Sequence, residues 1–165
     1  MLTAAEMKPG DDSARYTATV RWERRGAVFT DSRYSRGHHW EFDGGVRVPA
    51  SASPHSVPLP LSVAEAVDPE EAFIAAVASC HMLWFLSIAA GRGFVVEAYR
   101  DEAWAAIGRG AGGGAEITDV FLRPRVQFAA GGDPGPAGLA ELHHAAHARC
   151  LIANSIRSEV HIEGA

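Results

Sequence analysis

The stretch DPEEAFIAAVASCHMLWFLSIAAGRGF, residues 68–94, decides the fold of this chain. Its beginning favours a helix start, because Asp68 can accept a hydrogen bond as the N-cap, Pro69 suits the first helical position and Glu71 completes a capping box. Gly91 then ends the pattern. Between these ends, apolar residues occupy every face, which is typical of a helix buried in a protein core or in lipid.

The length of this apolar run does not by itself separate a core helix from a membrane span. A span needs roughly 20 apolar residues, and residues 72–90 approach that length. However, the run carries Ser79, Cys80, His81 and Ser87, and it stands alone in a chain of ordinary polarity. We therefore predict a core helix and no membrane partner.

Composition limits the domain organisation and the classes of partner. The chain has 165 residues, 47% of them hydrophobic, which is enough for one domain with a core of its own. We predict a flexible N-terminal tail over residues 1–14 and a single domain over residues 15–165. A formal charge of -5 without a basic cluster argues against nucleic acid as a partner. The start of the chain lacks a signal-peptide pattern, so we predict a cytoplasmic protein whose two cysteines are thiols.

The remaining segments predict an α+β domain. Five of them have strand character: residues 16–22, 39–48, 95–107, 117–128 and 159–162. A proline-rich connection, residues 51–67, leads into the first helix, and the glycine-rich stretch 108–114 is predicted to form the tip of a long hairpin. Apolar residues at helical spacing predict a second helix over residues 137–155. This order favours helices packed on one face of an antiparallel sheet.

The chemistry depends on Cys80 and Cys150, which lie too far apart for a Cys-x-x-Cys site, each within its own predicted helix. Both can be small buried hydrophobic residues. Alternatively, they form a peroxidatic and resolving pair, in which one thiolate attacks a peroxide, becomes a sulfenic acid and condenses with the second thiol. An external reductant must then open the disulfide. Such a cycle needs a cationic neighbour that lowers the thiol pKa, such as an arginine held by a carboxylate.

Histidines offer a rival chemistry on the second predicted helix. His143, His147 and Cys150 fall at i, i+4 and i+7, and two imidazoles with a thiolate would suit zinc. No carboxylate or further cysteine is placed to complete the ligand shell. We therefore predict neither a metal nor a bound cofactor.

The sequences around both cysteines resemble motifs of the OsmC/Ohr family, which comprises osmotically inducible protein C and organic hydroperoxide resistance proteins. Residues 68–80, DPEEAFIAAVASC, resemble the family's NPEELxxAxxAxC, and residues 146–155, AHARCLIANS, resemble its AHxxCxxSNA around the resolving cysteine. The segments SCHMLW, residues 79–84, and YSRGH, residues 34–38, are similar to one OsmC-like branch. The resemblance covers nearly all of residues 16–163.

This resemblance implies an OsmC-like fold, with antiparallel sheets wrapped around two central buried helices in an intertwined homodimer. It also implies reduction of organic hydroperoxides at the subunit interface, with an external dithiol reductant of the lipoyl or thioredoxin type. Cys80 falls on the peroxidatic position, Cys150 on the resolving position and Glu70 on the motif carboxylate. The alternative is an OsmC-fold protein without peroxidase turnover, which binds an apolar small molecule in the dimer-interface pocket.

Arginine positions differ among branches of the family, so the activating cation is the least determined residue. Arg36, in the segment Tyr-Ser-Arg-Gly-His, is our first candidate for lowering the thiol pKa. The other candidates are Arg33, Arg24 and Arg25.

Helix geometry constrains how the motif carboxylate can act. Glu70 and Cys80 are ten residues apart, which on one straight helix separates them by about 15 Å along the axis. They therefore cannot touch within one helix. We predict that Glu70 acts across the dimer, where it holds an arginine over the partner's Cys80.

Overall fold

The computed structural model describes residues 15–164, and the chain divides into two compact units between Glu70 and Glu71. The predicted tail, residues 1–14, lies outside the described residues. The boundary between the units falls in the first turn of the long helix α1 (Pro69–Gly91). The organisation of residues 15–165 as one domain stays a prediction.

The first unit is built on a three-stranded antiparallel sheet. Its strands β1 (Ala18–Arg21), β2 (His38–Phe42) and β3 (Arg47–Ala50) lie in sequence order. The segment 39–48, which the sequence predicts as a strand with a turn at Gly44 and Gly45, forms a hairpin that turns at this glycine pair, with Gly45 at φ +80°. The irregular connection 51–67 returns to the end of β3, where the Ser51 amide donates to the Val67 carbonyl at 3.1 Å.

Helix α1 follows Asp68 directly and spans 23 residues, as its local pattern predicts. Its five buried residues form one stripe: Val77, His81, Phe85, Ile88 and Ala89. It is the one helix among the described residues that is long and apolar enough to cross a membrane. Only 28% of its most apolar 18-residue window is buried within the chain. A helix that is apolar on all sides is therefore covered on one side only.

The second unit contains two further sheets. Strands β4 (Val96–Asp101) and β7 (Pro124–Phe128) form an antiparallel pair, and β5 (Trp104–Arg109), β6 (Ala115–Leu122) and β8 (Glu159–Ile162) form a three-stranded sheet. The predicted hairpin is confirmed, with its tip in the glycine-rich stretch between β5 and β6. Strand β8 lies at the edge of its sheet and departs from the predicted antiparallel arrangement, because it runs parallel to β6. A helix lies between these strands in the chain, and such a crossover returns the chain in the same direction.

The second helix, α2 (Gly135–Arg149), packs against α1 through Phe85, Ile88, Leu142 and Ala146. A second cluster joins Val77 of α1 to Val120 and Leu122 of β6. These contacts give the mixed α+β architecture that the sequence predicts. The helices and the sheet of this unit therefore fix the surroundings of both cysteines.

The prediction that the second helix continues to residue 155 with Cys150 inside it was wrong. The helix ends at Arg149, and Cys150 adopts an extended conformation at φ -67° and ψ 105°. A short 3-10 helix follows over Ala153–Ser155. The apolar spacing does not reveal this helix end, because the chain returns to helical geometry after the extended residue Cys150.

Candidate functional site

The second unit brings the two cysteines together. Cys80, in the middle of α1, is half-buried, whereas Cys150 has no exposed surface. Both are free thiols, and they are hydrogen-bonding partners. Burial, followed by this hydrogen bond with Cys80, raises the pKa of the Cys150 thiol to about 11. Cys150 is therefore protonated at neutral pH, next to a more accessible thiol.

The turn after α2 surrounds the sulfur of Cys150 with backbone donors. The Ala153 amide donates to Cys150 Sγ at 3.4 Å, and the Ile152 amide acts on the thiol in the same direction, lowering its pKa. The Asn154 side chain closes the turn by donating to the carbonyl oxygens of Cys150 at 2.9 Å and Ala148 at 3.2 Å. The last carbonyls of a helix have no hydrogen-bond donors within the helix. The side-chain amide of Asn154 supplies donors for two of them.

A pair of buried histidines lies between the same two helices. His81 Nε2 and His143 Nδ1 are 3.0 Å apart, and the two rings stack with their centroids at 5.3 Å. The pKa of each imidazole is lowered to about 4, chiefly by burial, with smaller contributions from His143 and His147 in the case of His81. Both rings are therefore neutral at pH 7. From the sequence, His81 can approach the histidines of the second helix only if the two helices pack together, and His81 does continue the buried stripe through Val77 and Phe85 at helical spacing.

The rival metal site is not assembled in the form that the sequence suggests. His143 Nδ1 is directed at His81, and α2 ends before Cys150, which breaks the helical spacing of the three candidate ligands. Within residues 15–164, the one group of possible ligand atoms that lie within 4.8 Å of one another comprises Asp119, Glu159 and His161 on β6 and β8. There, His161 Nε2 is 2.8 Å from Asp119 Oδ1, in an ion-pair geometry.

Arg36 lies in the first unit, where its guanidinium is held by its own loop. The guanidinium carbon stacks 3.9 Å above the Tyr34 ring centroid. Its Nη1 donates to the Ser32 carbonyl at 2.8 Å and to the Tyr34 carbonyl. The Arg24 side chain likewise donates to a backbone carbonyl, that of Ala27. Arg36 is thus oriented by carbonyls and an aromatic ring rather than by a carboxylate.

An open apolar groove of about 470 Å³ runs beside Arg36. Three aromatic rings form its wall, with the Phe29 and Tyr34 rings stacked at 4.6 Å and the Trp22 and Tyr34 rings at 5.3 Å. The indole nitrogen of Trp22 donates to the Ser35 carbonyl at 2.8 Å, which fixes this wall to the loop that carries Arg36. The groove therefore combines one guanidinium with a mainly apolar surface.

Glu70 has an unfilled hydrogen-bonding position. Its Oε2 is shielded from solvent and has no hydrogen-bond partner among the described residues. No ion pair between Glu70 and Arg36 forms within that part of the chain. Of the four candidate residues, the structure thus brings together the two cysteines, whereas Arg36 is not paired with Glu70 among the described residues.

Comparisons with known proteins agree with this architecture. A family model described as OsmC-like protein matches residues 62–164. The chain is 51% identical to an OsmC-like protein of unknown function from Vibrio cholerae, with a TM-score of 0.89 over 91% of this chain and 98% of the other.

Two more distant structures are organic hydroperoxide resistance proteins. OsmC from Legionella pneumophila has 18% identity and a TM-score of 0.64 over 90% and 93% of the two chains, and OhrB from Bacillus subtilis has 21% identity and a TM-score of 0.62 over 90% and 96%. No match was found among curated protein sequences. The predicted OsmC-like α+β fold is confirmed by these similarities.

Proposed function

We propose that this protein, which belongs to the OsmC-like protein family, is a thiol-dependent peroxidase that reduces organic hydroperoxides through Cys80 and Cys150. The observation that carries the proposal is the contact between an accessible thiol and a fully buried one. A buried thiol with a raised pKa reacts little with solutes, but it is well placed to condense with a sulfenic acid formed beside it. The hydroperoxide resistance proteins that share this fold support the same class of substrate.

In the proposed cycle, the Cys80 thiolate attacks the terminal oxygen of the hydroperoxide. The O–O bond breaks, the alkoxide takes up a proton and leaves as an alcohol, and Cys80 becomes a sulfenic acid. The Cys150 thiolate then attacks the Cys80 sulfur, so that the S–O bond breaks and hydroxide leaves as water after protonation. A disulfide remains. An external dithiol reduces it by two thiol exchanges and is itself oxidised to a disulfide.

We propose that the active form is a homodimer. Helix α1 exposes small and apolar residues along one face, among them Ala75, Ala76, Ser79 and Leu83. Exposed apolar patches of this kind mark interaction surfaces, and a second copy of the helix is the matching occupant. His81 and Cys80, which both lie on this helix, argue against lipid, because polar and ionisable groups are costly in hydrocarbon.

Dimer formation would also supply the partner that Glu70 lacks. In this arrangement, Glu70 holds Arg36 or another loop arginine over the partner's Cys80. The shielded Oε2 of Glu70 supports the idea, since a buried carboxylate oxygen without a partner is costly and a guanidinium satisfies it well. Arg36 would then stabilise the Cys80 thiolate and the charge that develops on the peroxide.

The substrate is proposed to be an alkyl or lipid hydroperoxide rather than hydrogen peroxide. The groove beside Arg36 presents three aromatic rings, which would take an apolar chain while the guanidinium faces the peroxide. The reductant is proposed to be a lipoyl-type or thioredoxin-type dithiol, and no resident metal or cofactor is required. Such a cycle fits the reducing cytoplasm, where the resting thiols stay reduced.

The first test is to add one equivalent of cumene hydroperoxide to the reduced protein and to follow free thiols and intact mass. We expect the loss of two thiols as an intramolecular disulfide in the wild type. Cys150→Ser should instead accumulate a sulfenic acid, which dimedone traps, and Cys80→Ser should lose no thiol. Slow oxidation of Cys80, no faster than that of a free thiol in solution, would contradict the proposal.

The aromatic groove also supports a second candidate function, the binding of an apolar small molecule without turnover. Under that alternative, Cys80 would stay unreactive while a fatty acid or a similar ligand binds in a saturable way. Equilibrium binding of a fluorescent fatty acid to the wild type and to Cys80→Ser separates the two functions. Tight binding with no thiol oxidation would favour the alternative.

A further inference from the structure

We infer that Asn154 is a positioning residue for the resolving step, because it holds the turn that directs backbone N–H groups at the sulfur of Cys150. The inference rests on the proposed peroxidase function. It concerns the second chemical step, in which Cys150 attacks the oxidised Cys80, and leaves the first step to other residues.

Asn154 makes three hydrogen bonds that fix this turn. Its side-chain amide donates to the carbonyls of Cys150 and Ala148 at 2.9 and 3.2 Å, and its backbone amide donates to the Cys150 carbonyl at 3.0 Å. Cys150 is the one extended residue between α2 and the 3-10 helix, so its carbonyl direction sets the path of the next three residues. An asparagine at this position therefore ties the end of α2 to the turn.

The turn is the only feature in the described surroundings of Cys150 that favours its charged form. Burial and the Cys80 thiol both disfavour the thiolate, whereas the backbone amides of Ala153 and Ile152 favour it. The Ala153 amide is 3.4 Å from the sulfur, within the range of an N–H···S hydrogen bond. Backbone donors aimed at a developing negative charge stabilise it without reorganisation.

This arrangement matters because only the thiolate of Cys150 can attack the sulfenic sulfur. If the turn loosened and the pKa rose by about one unit, the thiolate fraction near neutral pH would fall about tenfold. Higher intrinsic nucleophilicity would offset roughly half of that on a logarithmic scale, leaving about a threefold loss. Poorer alignment of the sulfur adds to this loss, so we expect about a tenfold slower resolving step in total.

The kinetic test compares Asn154→Ala with Ser155→Ala in single-turnover experiments with cumene hydroperoxide. Ser155 is the matched control, because its hydroxyl donates to the Leu151 carbonyl at 2.8 Å in the same turn but does not hold Cys150. We expect Asn154→Ala to leave the formation of the Cys80 sulfenic acid unchanged and to slow disulfide formation about tenfold, with its pH profile moved to higher pH. Ser155→Ala should match the wild type. Equal rates and pH profiles in Asn154→Ala and the wild type, or an equal slowing by Ser155→Ala, would overturn the inference.

A second measurement keeps the inference testable apart from the peroxidase activity. In a Cys80→Ser background Cys150 is the only cysteine, so the ultraviolet absorbance of its thiolate, followed against pH, reports the ionisation of this thiol alone without requiring a reagent to reach it. We expect Asn154→Ala to move that profile to higher pH, and Asn154→Asp, which keeps the shape but loses the donor, to move it in the same direction. An unchanged profile in both variants would refute the positioning role. Failure of Cys80 to react with hydroperoxide would refute the proposed function while leaving this result interpretable.

Discussion

The candidate functional residues of the two units differ in how far their partners are in place. In the second unit, Cys80 and Cys150 are already in contact, and backbone donors surround the buried sulfur. In the first unit, Arg36 is held by backbone carbonyls, and Glu70 has a shielded oxygen with no hydrogen-bond partner within residues 15–164. Under the proposed function, one chain would suffice to form the disulfide, whereas activation of Cys80 would need an arrangement that the described residues of a single copy do not display.

This contrast follows from how each region is built. The thiols lie on or next to helices whose packing is fixed by buried residues such as Phe85 and Leu142. Arg36 lies in a long loop with few buried side chains, where Arg25 and Ser32 have positive φ angles. Packed helices determine side-chain positions closely, while loops leave more to local hydrogen bonds and to partners. Four experiments test this difference between the two units.

The largest effect is expected from Leu83→Glu, which places a charge in the exposed apolar face of α1. Leu83 is 51% exposed in the single chain. In a dimer, the carboxylate would be buried without a partner, at a cost of several kcal/mol, so the dissociation constant should rise by about 100-fold or more. Sedimentation velocity over a range of concentrations measures this change.

If the dimer completes the site, peroxidase activity should fall together with the dimer fraction. Val46→Glu is the matched control, since Val46 is 59% exposed but lies in the turn between β2 and β3. It should leave both assembly and activity near the wild-type values. Full activity from a monomeric Leu83→Glu protein would show that one copy is sufficient.

The second-largest effect is expected from a substitution at Arg36 in the first unit. Arg36→Met keeps much of the stem but removes the guanidinium that stacks on Tyr34. Loss of one preorganised charged donor should slow the oxidation of Cys80 by about 100-fold, measured by stopped-flow fluorescence with excess hydroperoxide. Arg33→Met should have little effect. If Arg33→Met gave the larger loss, the cation would be assigned to the wrong loop residue.

The sequence predicts those parts of the structure that depend on local patterns. Helix α1 begins and ends where Asp68, Pro69 and Gly91 indicate, and the β5–β6 hairpin turns at its glycine-rich stretch. The residues alone leave the pairing of the two cysteines as one of two interpretations, and the family resemblance favours it, since their distance along the chain contains no contact information. Their contact in the second unit depends on the packing of α1 against α2.

Three features could not be determined from the sequence, because each depends on contacts between distant segments. Cys150 leaves the helix as one extended residue held by Asn154, which a pattern of apolar spacing cannot detect. Strand β8 pairs in parallel with β6 because of the path taken by α2. The stacking of His81 on His143 needs the register of one helix against the other. Local periodicity therefore predicts elements well and side-chain neighbours poorly.

The two buried histidines, His81 and His143, should make the stability of the fold depend on pH. Their pKa values are lowered to about 4 in the folded state, whereas an exposed histidine titrates near 6.5. The unfolded chain therefore binds more protons between these values, and stability is lost as the pH falls from about 6.5 towards 4. Between pH 7 and pH 5, each histidine should cost about 2 kcal/mol of unfolding free energy. Urea unfolding at fixed protein concentration measures this loss.

A single substitution checks the assignment. His143→Gln retains an amide that can hydrogen-bond to His81 but does not titrate, so roughly half of the acid-induced loss should disappear. His144→Gln is the control, because this neighbour lies at the surface of α2. It should leave the full loss in place. An unchanged pH dependence in His143→Gln would mean that other groups control acid stability.

The smallest effect is expected in the groove of the first unit, where a substitution should change the selectivity between an organic hydroperoxide and hydrogen peroxide. Phe29 stacks on Tyr34 and is half exposed, so Phe29→Ser removes part of an apolar wall without emptying a core. The lost contact with an alkyl chain should be worth about 1 kcal/mol, which lowers the rate with cumene hydroperoxide about fivefold. The rate with hydrogen peroxide should hardly change, because this oxidant has no apolar group that could contact the Phe29 ring.

Val28→Ser is the control, because this neighbouring residue is also exposed but does not line the groove. A fall in the ratio of the two rates with Phe29→Ser alone would connect the groove to catalysis by Cys80. An equal ratio in all three proteins would mean that the thiol pair selects its oxidant without help from the first unit.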